Sequence, residues 1–384
     1  MYRKTYVKID GEKLKNNIIE IISKYNDYKY YFGVVKGNCY GHGDYSIRYL
    51  IDGGVNYLAV SSLEEAISVR KYDKKIPILC LEPISLEFIE VICDNNVTIT
   101  VEDLNYVKEL ISLKKNIKVH IKVDSGMNRL GFKDRKELEE SVKLLKEDKF
   151  IELEGIYTHL ATTGIIDVYY DKQINKFKEL TKNIDLKEIP IVHIGRSITL
   201  VNHDKLDFVN GIRLGICMYG FNNSLPTPTG LRKLKRKFDL KRLKISDSYI
   251  SNDLNLKTAF SLYTEVMSLR KVNAGEFVGY SAGYIAKEDV IVATLPIGYF
   301  DGVSKEMKYV SINGNRYEII GEICMDMMSV LVDKKVRLHD KVEIFGDNIS
   351  IREVSNNVGT NAYHVLTGIT TRVPRIYDDK EIKY

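Results

Sequence analysis

Eight short apolar runs, separated by segments with helical spacing, occupy the first half of the chain. They are YYFGVVK (30–36), YLAVSS (57–62), PILCLE (77–82), VTITVE (97–102), VHIKVD (119–124), LEGIYTH (153–159), IVHIG (191–195) and FVNGIRLG (208–215). Strands that alternate with helices favour a parallel sheet, and eight such units predict a TIM (β/α)8 barrel. An open doubly wound sheet is the alternative, but the chain has no obvious Gly-x-Gly-x-x-Gly fingerprint to support it.

The pattern changes after residue 258. Strand-like runs with Gly, Asn and Asp turns follow one another, INGNRY (312–317) reads as a tight hairpin, and long helical patterns are absent until about 351–366. The predicted fold class is therefore α/β plus β, with a barrel at 11–230 and a mainly β domain at 258–384. We expect a basic linker at 231–257, and residues 1–10 to pair with the C-terminal domain.

The positive charge of the chain is concentrated in one segment. RKLKRKFDLKRLK (232–244) holds eight basic residues and one acidic residue, so the total of +5 leaves about −2 for the rest. The body of the protein thus has no basic face of the kind that binds nucleic acid. The segment itself is interpreted as a solvated insertion, with a contact for an acidic partner or a membrane surface as the alternative.

The composition also bears on location and metals. No apolar run approaches the roughly 18 residues of a membrane helix, and MYRKTYVKID lacks the apolar core of a secretory signal. The five cysteines are scattered, and the histidines show no metal-ligand spacing. We therefore expect a cytoplasmic protein with no metal, no membrane segment and no nucleic-acid partner.

Polar side chains fall where the predicted strands end, which is where TIM barrels carry their chemistry. They are Lys36, Lys122, Arg129, His159, Ser197 and Arg213. A lone lysine at the tip of a core strand is a candidate for Schiff-base chemistry. Its alternative is a structural lysine whose amine simply reaches water.

A phosphate site is indicated after strands seven and eight. Ser197 and the backbone amides around Gly215 and Ile216 are suited to cradle a phosphate. A lysine across the barrel mouth would then form an imine with an aldehyde held by that phosphate. The combination suggests pyridoxal 5′-phosphate, although phosphate sites occur in many barrels.

Eight motifs resemble those of the fold-type III alanine racemases, in the same order along nearly the whole chain. They are VVKGNCYGHG (34–43), KVDSGMNRLGF (122–132), EGIYTHLATT (154–163), RLGICMYG (213–220), VGYSAGY (278–284), LPIGYFDG (295–302), GEICMDMM (321–328) and TRVPRIY (371–377). The resemblance implies a homodimer that binds pyridoxal 5′-phosphate and interconverts L- and D-alanine, which supplies D-alanine for peptidoglycan.

The resemblance also implies roles for individual residues. Lys36 would hold the cofactor and act as one base, and Tyr280 would be the second base on the opposite substrate face. Tyr280 would arrive from the other subunit, together with Cys324, Met325 and Asp326. The remaining implied roles are cofactor binding by Tyr40, His159, Ser197, Arg213, Gly215, Ile216 and Thr371, substrate binding by Arg129, Met325 and Tyr299, and carbamylation of Lys122.

Three features depart from the family pattern. Arg196 stands where relatives commonly carry Asn, the segment 231–257 is longer than usual, and Thr371 replaces a tyrosine. A racemase for serine, or for both amino acids, is therefore the main alternative. A fold-type III decarboxylase is disfavoured by Tyr280 and Arg213, and a non-catalytic cofactor carrier by the complete second domain.

Overall fold

The computed structural model describes residues 3–162, 168–221, 230–243, 254–377 and 380–382. The chain divides into two compact units. The barrel unit comprises residues 14–36 and 44–257, and the β unit comprises residues 1–13, 37–43 and 258–384. Residues 222–229, near the predicted end of the barrel, and residues 244–253 of the predicted linker lie outside the described residues.

Eight parallel strands close the barrel unit, which confirms the predicted TIM barrel and excludes an open sheet. Strand β1 (Tyr6–Ile9) precedes them and belongs to the β unit. The barrel strands are β2 (Tyr30–Val34), β3 (Tyr57–Val60), β4 (Ile78–Cys80), β5 (Val97–Val101), β6 (Ile117–Lys122), β7 (Ile151–Tyr157), β8 (Ile191–Arg196) and β9 (Gly211–Leu214).

Helices follow the barrel strands, as the sequence pattern predicts. In chain order they are α1 (Gly11–Lys24), α3 (Ile47–Asp52), α4 (Leu63–Arg70), α5 (Ile89–Asp94), α6 (Leu104–Ser112), α7 (Arg135–Glu147), α8 (Tyr169–Leu180), α9 (Ser197–Asn202) and α10 (Gly230–Leu243), and the short segment α2 (Lys36–Tyr40) is a left-handed turn rather than an α-helix. Several begin at capping side chains. Asp103 accepts from the Tyr106 amide at 2.9 Å, and Asp134 accepts from the Lys136 amide at 2.8 Å.

Aromatic rings fill the barrel interior and fix the side chains around them. Phe32 stacks on Tyr57 and on His193, with ring centroids 4.4 and 4.6 Å apart, and Tyr157 stacks on the other side of His193 at 4.6 Å. Stacked aromatic pairs contribute about 0.5–1.5 kcal/mol beyond the area they bury. The stack therefore supports the polar groups at the carboxyl end of the barrel.

The β unit is mainly strand, as predicted, with two short helices, α11 (Ile351–Asn357) and α12 (Ala362–Gly368). Its strands after β1 are β10 (Phe260–Glu265), β11 (Ser268–Val272), β12 (Phe277–Val278), β13 (Tyr284–Ile285), β14 (Val290–Leu295), β15 (Tyr309–Ile312), β16 (Asn315–Ile320), β17 (Met328–Val332), β18 (Lys341–Phe345), β19 (Arg375–Tyr377) and β20 (Lys380–Ile382).

One sheet of ten strands organises the β unit, in the order β11-β14-β17-β16-β15-β18-β10-β1-β19-β20. Strand β1 lies antiparallel to β10 and parallel to β19. The predicted hairpin at 312–317 is confirmed by the pairing of β15 with β16. Its turn residues Asn313 and Gly314 have φ of 51° and 79°, as a tight hairpin turn of this hand requires.

The basic segment forms part of helix α10. Six of its cationic side chains are exposed, namely Arg232, Lys233, Lys235, Lys237, Lys241 and Arg242. Arg236 and Leu240 are buried. Across the described residues, no helix is both long enough and apolar enough to cross a membrane.

Candidate active site

The carboxyl ends of the barrel strands bring together the polar residues of the barrel unit. Lys36 follows β2, Lys122 ends β6, His159 follows β7 and Ser197 follows β8. Because the closed barrel is parallel, these positions share one end of it. That end is therefore the candidate active site of the barrel unit.

A left-handed turn follows Lys36, and the sequence alone did not predict it. The four residues 37–40 have φ between 52° and 62°. For residues other than glycine, this conformation costs roughly 1–2 kcal/mol each. Lys36 itself is exposed. Strand β2 therefore ends at Val34, and the exposed Lys36 lies between the strand and the turn.

Contacts within the β unit hold the left-handed turn in place. A Cβ built on Gly41 would lie 2.2 Å from the carbonyl oxygen of Leu366, so only glycine fits there. The carbonyl of Gly41 accepts from Nε of Arg375 at 2.9 Å, and the carbonyl of Gly43 accepts from the Tyr377 hydroxyl at 3.1 Å. These contacts explain why residues 37–43 belong to the β unit although the predicted barrel began at residue 11 and included them.

Tyr40 ends this turn. It is half-buried, and its ring centroid lies 5.7 Å from that of Tyr363. The Tyr40 ring therefore packs beside helix α12, which carries Tyr363.

Arg213 is buried among acceptors at the carboxyl end of β9. Its Nη1 donates to Nδ1 of His193 at 2.6 Å, and its Nη2 donates to the carbonyls of Thr158 at 2.8 Å and Ile194 at 2.9 Å. Burial lowers the pKa of Arg213 to about 10, so it stays charged at neutral pH. Within the described part of the chain, no hydrogen bond uses its Nε. One fixed N–H donor is thus left for a ligand.

Ser197 and the loop after β9 form a cluster of small hydrogen-bonding groups. The Ser197 hydroxyl accepts from the Gly215 amide at 2.9 Å and from Sγ of Cys217 at 3.0 Å. Ile216 is buried, and no acceptor for its amide is found among the described residues. A buried amide without an acceptor is costly, so this cluster is suited to an anionic ligand.

Lys122 is a buried cation among other cations. Its Nζ lies 5.7 Å from the ring centroid of Tyr157. Burial, followed by the charges of Arg129 and Arg213, lowers the pKa of Lys122 to about 8. Arg129 itself is exposed. A substantial fraction of the Lys122 amine is therefore neutral and nucleophilic near pH 8.

His159 is held neutral beside Arg213. Its Nδ1 lies 3.4 Å from Nη2 of Arg213. Burial lowers the pKa of His159 to about 2, and the charges of Arg213 and Arg196 add to that effect. His159 therefore offers an uncharged aromatic ring at the barrel mouth.

Tyr280 lies at the tip of the β12–β13 hairpin in the β unit. Strand β12 pairs with β13 through Val278 and Tyr284, and the turn between them begins at Gly279, with φ of 80°. The Tyr280 side chain is 69% exposed. A phenol in this position is free to meet a substrate or a partner chain.

Two other loops of the β unit are joined by backbone hydrogen bonds. The amide of Tyr299 donates to the carbonyl of Cys324 at 3.0 Å, and the amide of Phe300 donates to that of Met325 at 3.0 Å. A Cβ on Gly298 would lie 2.3 Å from the Cys324 carbonyl, so glycine is required for this approach. The structure thus brings Tyr299 and Met325, both predicted from sequence, onto one pair of loops.

Thr371 precedes an ion-pair cluster that no single sequence motif reveals. Thr371 is exposed, and the next residue, Arg372, pairs with Asp301 and Asp326. Arg3 also pairs with Asp301. The charged ends of three motifs distant in sequence therefore meet at one place.

The barrel interior contains three polar residues that were not predicted as site residues from the sequence, namely His120, Glu154 and His193. His120 and His193 lie inside the runs VHIKVD and IVHIG, and Glu154 lies in LEG. The only available signal was the strand alternation, which places His120 on the same face of β6 as Lys122. Within the described residues, no group of three His, Cys, Asp or Glu side chains is arranged to hold a metal ion.

Comparison with known families gives two matches that together span most of the chain. The N-terminal domain profile of alanine racemase matches residues 9–223, and the C-terminal domain profile of alanine racemase matches residues 259–377. The chain is 33% identical to alanine racemase of Ligilactobacillus salivarius over 393 aligned positions, which cover 98% of each protein.

Solved structures give the same result. The alanine racemase of E. faecalis superimposes with a TM-score of 0.87 at 29% identity, covering 98% of this chain and 99% of the other. The alanine racemase of Bacillus anthracis with bound L-Ala-P superimposes with a TM-score of 0.84 at 32% identity, covering 100% and 97%. Sequence and fold therefore agree along both units.

Proposed function

The chain belongs to the alanine racemase family and is an amino-acid racemase, and on that premise we propose that it interconverts L- and D-alanine with pyridoxal 5′-phosphate and two bases. Lys36 and Tyr280 are the proposed bases. Removing the Cα proton from one face and returning one to the other inverts the configuration, so two groups on opposite faces are needed. The proposed biological role is the supply of D-alanine for peptidoglycan.

The hydrogen bonding of Arg213 is the observation that carries the cofactor assignment. Both of its terminal nitrogens are taken by His193, Thr158 and Ile194, and its Nε is not. Arginine has donors and no acceptor, so a ring nitrogen that accepts from Nε receives no proton from it. When bound, the cofactor withdraws electrons from Cα and makes its proton acidic. A donor at the ring nitrogen moderates that withdrawal, which favours racemisation over transamination.

The proposed phosphate site uses the groups of the β8 and β9 loops. Ser197, the amides of Gly215 and Ile216, and the Tyr40 hydroxyl would hold the phosphate. The unmatched amide of Ile216 supports this assignment, because a phosphate oxygen would supply its acceptor. Neutral His159 would pack near the cofactor ring without adding a charge.

The substrate side of the proposal rests on Arg129, Met325 and Tyr299. Arg129 would be oriented by a carbamate on Lys122, because the neutral amine of a lysine with a pKa of about 8 reacts with carbon dioxide. The second candidate substrate is serine, alone or with alanine. It is favoured by Thr371, an exposed β-branched hydroxyl where the family carries a tyrosine.

A homodimer with shared active sites is part of the proposal. The exposed side chains of Phe277, Tyr280 and Ile285 on the β12–β13 hairpin, and of Phe300 and Met325 on the neighbouring motifs, support it. Exposed apolar groups of this size mark interaction surfaces. We further propose a cytoplasmic location, which the five free cysteines support.

The test measures formation of D-alanine and D-serine from the L-amino acids side by side, with cofactor absorbance recorded on the same sample. Lys36→Ala should remove the protein-bound cofactor band and the activity. Lys29→Ala is the matched control, because Lys29 is an exposed lysine at the opposite end of the same strand. An unchanged absorbance band in Lys36→Ala, or no enantiomer formed by the native protein, would contradict the proposal.

A further inference from the structure

A continuous chain of hydrogen bonds runs through the barrel interior from Arg213 to Lys118. Nη1 of Arg213 is 2.6 Å from Nδ1 of His193, and Nε2 of His193 is 2.9 Å from Nδ1 of His120. Nε2 of His120 is 3.2 Å from Oε2 of Glu154, and Oε1 of Glu154 is 2.7 Å from Nζ of Lys118. The chain crosses the barrel because Lys118 lies near the amino end of β6 and Arg213 near the carboxyl end of β9.

The middle of this chain is sealed from solvent. His120 and His193 are fully buried, and Glu154 is 7% exposed. A Cβ on Gly155 would lie 2.5 Å from the His120 ring, so glycine at that position makes room for the imidazole. The Lys118 side chain is 41% exposed. Of the five residues in this hydrogen-bond chain, Lys118 is the one with substantial exposure in the described structure.

The donor at one end fixes the direction of every bond. Arg213 can only donate, so Nδ1 of His193 must be unprotonated and accept. A neutral His193 then carries its proton on Nε2 and donates to Nδ1 of His120. By the same step His120 carries its proton on Nε2 and donates to Glu154. Both histidines are thus neutral Nε2–H tautomers.

The charges at the ends agree with this arrangement. Burial lowers the pKa of both His120 and His193, which keeps the rings neutral. Burial raises the pKa of Glu154, but hydrogen bonds from His120, Lys118 and Tyr57 outweigh it and bring the pKa to about 2. The hydroxyl of Tyr57 donates to Oε2 at 2.6 Å. Glu154 is consequently an ionised acceptor.

We propose that Glu154 is a positioning residue that acts on Arg213 through His120 and His193. Bonds in a connected chain polarise one another. The carboxylate polarises the Nε2–H bond of His120, which makes Nδ1 of His120 a stronger acceptor for His193. In the same way Nδ1 of His193 becomes a stronger acceptor for Arg213. The guanidinium is thereby held in one orientation with its Nη1 occupied and its Nε left for a ligand. Only the consequence for the cofactor ring rests on the proposed function.

A purely structural cluster would satisfy the same polar atoms, but the charge of Glu154 would have no effect on His193. The test must therefore measure His193 and not only the residues that Glu154 contacts. The first measurement is the ¹⁵N NMR spectrum of the histidine rings in the native full-length protein near pH 7. We expect His120 and His193 as neutral Nε2–H tautomers. A charged ring, or an Nδ1–H tautomer at either position, would overturn the proposal without any variant.

The second measurement uses Glu154→Gln, which keeps an acceptor for His120 and removes the charge. We expect the Nδ1 resonance of His193 to move, although Glu154 makes no contact with that ring. Glu343→Gln is the matched control, because Glu343 is a buried carboxylate that accepts the Ile349 amide at 3.0 Å in the β unit. An unmoved His193 resonance in a folded Glu154→Gln protein would refute transmission.

Activity adds a third readout. Residues that orient metal ligands through a hydrogen bond typically affect metal affinity or activity by about 10–100-fold. By analogy we expect a loss of kcat/KM in that range for Glu154→Gln but not for Glu343→Gln. The two proposals fail separately. An inactive native protein with the expected histidine tautomers would refute the racemase assignment alone, and wrong tautomers in an active enzyme would refute the chain alone.

Discussion

Arg372 donates two parallel hydrogen bonds to Asp301, from Nε to Oδ1 at 2.8 Å and from Nη2 to Oδ2 at 2.9 Å. Asp301 is completely buried and also receives the amide of Gly298 at 3.0 Å. Burial alone would raise the pKa of Asp301, but Arg372, Arg3 and that amide lower it. The carboxylate thus anchors the segment that presents Thr371.

We expect Asp301→Asn to lower the free energy of unfolding by about 2–3 kcal/mol, since charged hydrogen bonds to a buried group are lost. Asp326→Asn is the matched control, because Asp326 binds the same arginine from an exposed position and should cost less than about 1 kcal/mol. Urea unfolding of the three proteins measures both. Equal losses would contradict the dominant role of the buried carboxylate.

The effect of Asp301→Asn on the free energy of unfolding should also depend on pH. A carboxyl whose pKa is lowered by folding stabilises the protein above its unfolded pKa, about 3.9 for Asp. That stabilisation disappears as the pH falls through the lower, folded value. The stability difference between native and Asp301→Asn proteins should therefore be full near pH 6 and shrink below about pH 4. A difference that grows with acidification would reverse the assigned sign.

Tyr280→Phe should retain the cofactor and lose racemisation by about 10²–10⁴-fold, the usual contribution of a positioned acid or base. Tyr284→Phe is the control, because Tyr284 lies on the paired strand of the same hairpin. Both are measured as kcat/KM for L-alanine with cofactor absorbance alongside. A fully active Tyr280→Phe enzyme would remove this phenol from the mechanism.

Mixing subunits tests whether Tyr280 serves the partner's site. In a heterodimer of Lys36→Ala and Tyr280→Phe chains, a shared site leaves one complete pair of bases. Random exchange of equal amounts should then restore about a quarter of native activity in a two-fold dimer. No recovery despite demonstrated subunit exchange would indicate that both bases come from one chain.

Lys122 should take up carbon dioxide as a carbamate. With a pKa of about 8, its neutral fraction rises from about one tenth at pH 7 to about nine tenths at pH 9. The ¹³C NMR signal from labelled carbon dioxide, held at fixed dissolved concentration, should rise accordingly and vanish in Lys122→Met. Lys118 is the internal control, because burial lowers its pKa but the hydrogen bond that it donates to Glu154 and the charge of that carboxylate outweigh burial and raise it. A signal that persists in Lys122→Met would place the carbamate elsewhere.

Thr371 should widen substrate choice towards serine, because it replaces a phenol ring with a small hydroxyl. An apolar pocket rejects an added hydroxyl by only about 10²-fold. Thr371→Tyr should therefore raise the alanine preference, and the near-isosteric Thr371→Val should lower serine turnover alone if the hydroxyl binds serine. The measurement is kcat/KM for both L-amino acids. If the native protein prefers alanine over serine by well beyond about 100-fold, and both variants keep that ratio, Thr371 does not determine substrate specificity.

Much of the fold was readable from the sequence because its signals are local. Each barrel strand is a short β-branched run next to a helical segment, and each of the eight predicted runs overlaps one strand of the closed barrel. Parallel strands end at one face, so the placement of Lys36 and Ser197 at that face follows from their positions in the runs. The order of the eight motifs is likewise visible in the sequence alone.

Other features depended on contacts between residues that are far apart in the chain. The left-handed turn after Lys36 is strained locally and is held by Arg375 and Leu366, more than 300 positions away. Asn38 tolerates a positive φ, but no local preference of Cys39 or Tyr40 predicts one. The groups that stabilise the turn are in place only when the β unit folds.

The sequence therefore determined the barrel, the β unit and the family, since periodicity and motif order are properties of neighbouring residues. Only the tertiary structure decided which polar groups share protons. His120 and His193 are single polar residues within apolar runs, 73 positions apart. Closure of the barrel brings a nitrogen of each ring to within 2.9 Å of the other in a buried interior, where ring nitrogens need hydrogen-bond partners. Arg213 can only donate, so it determines which nitrogen of each ring carries the proton.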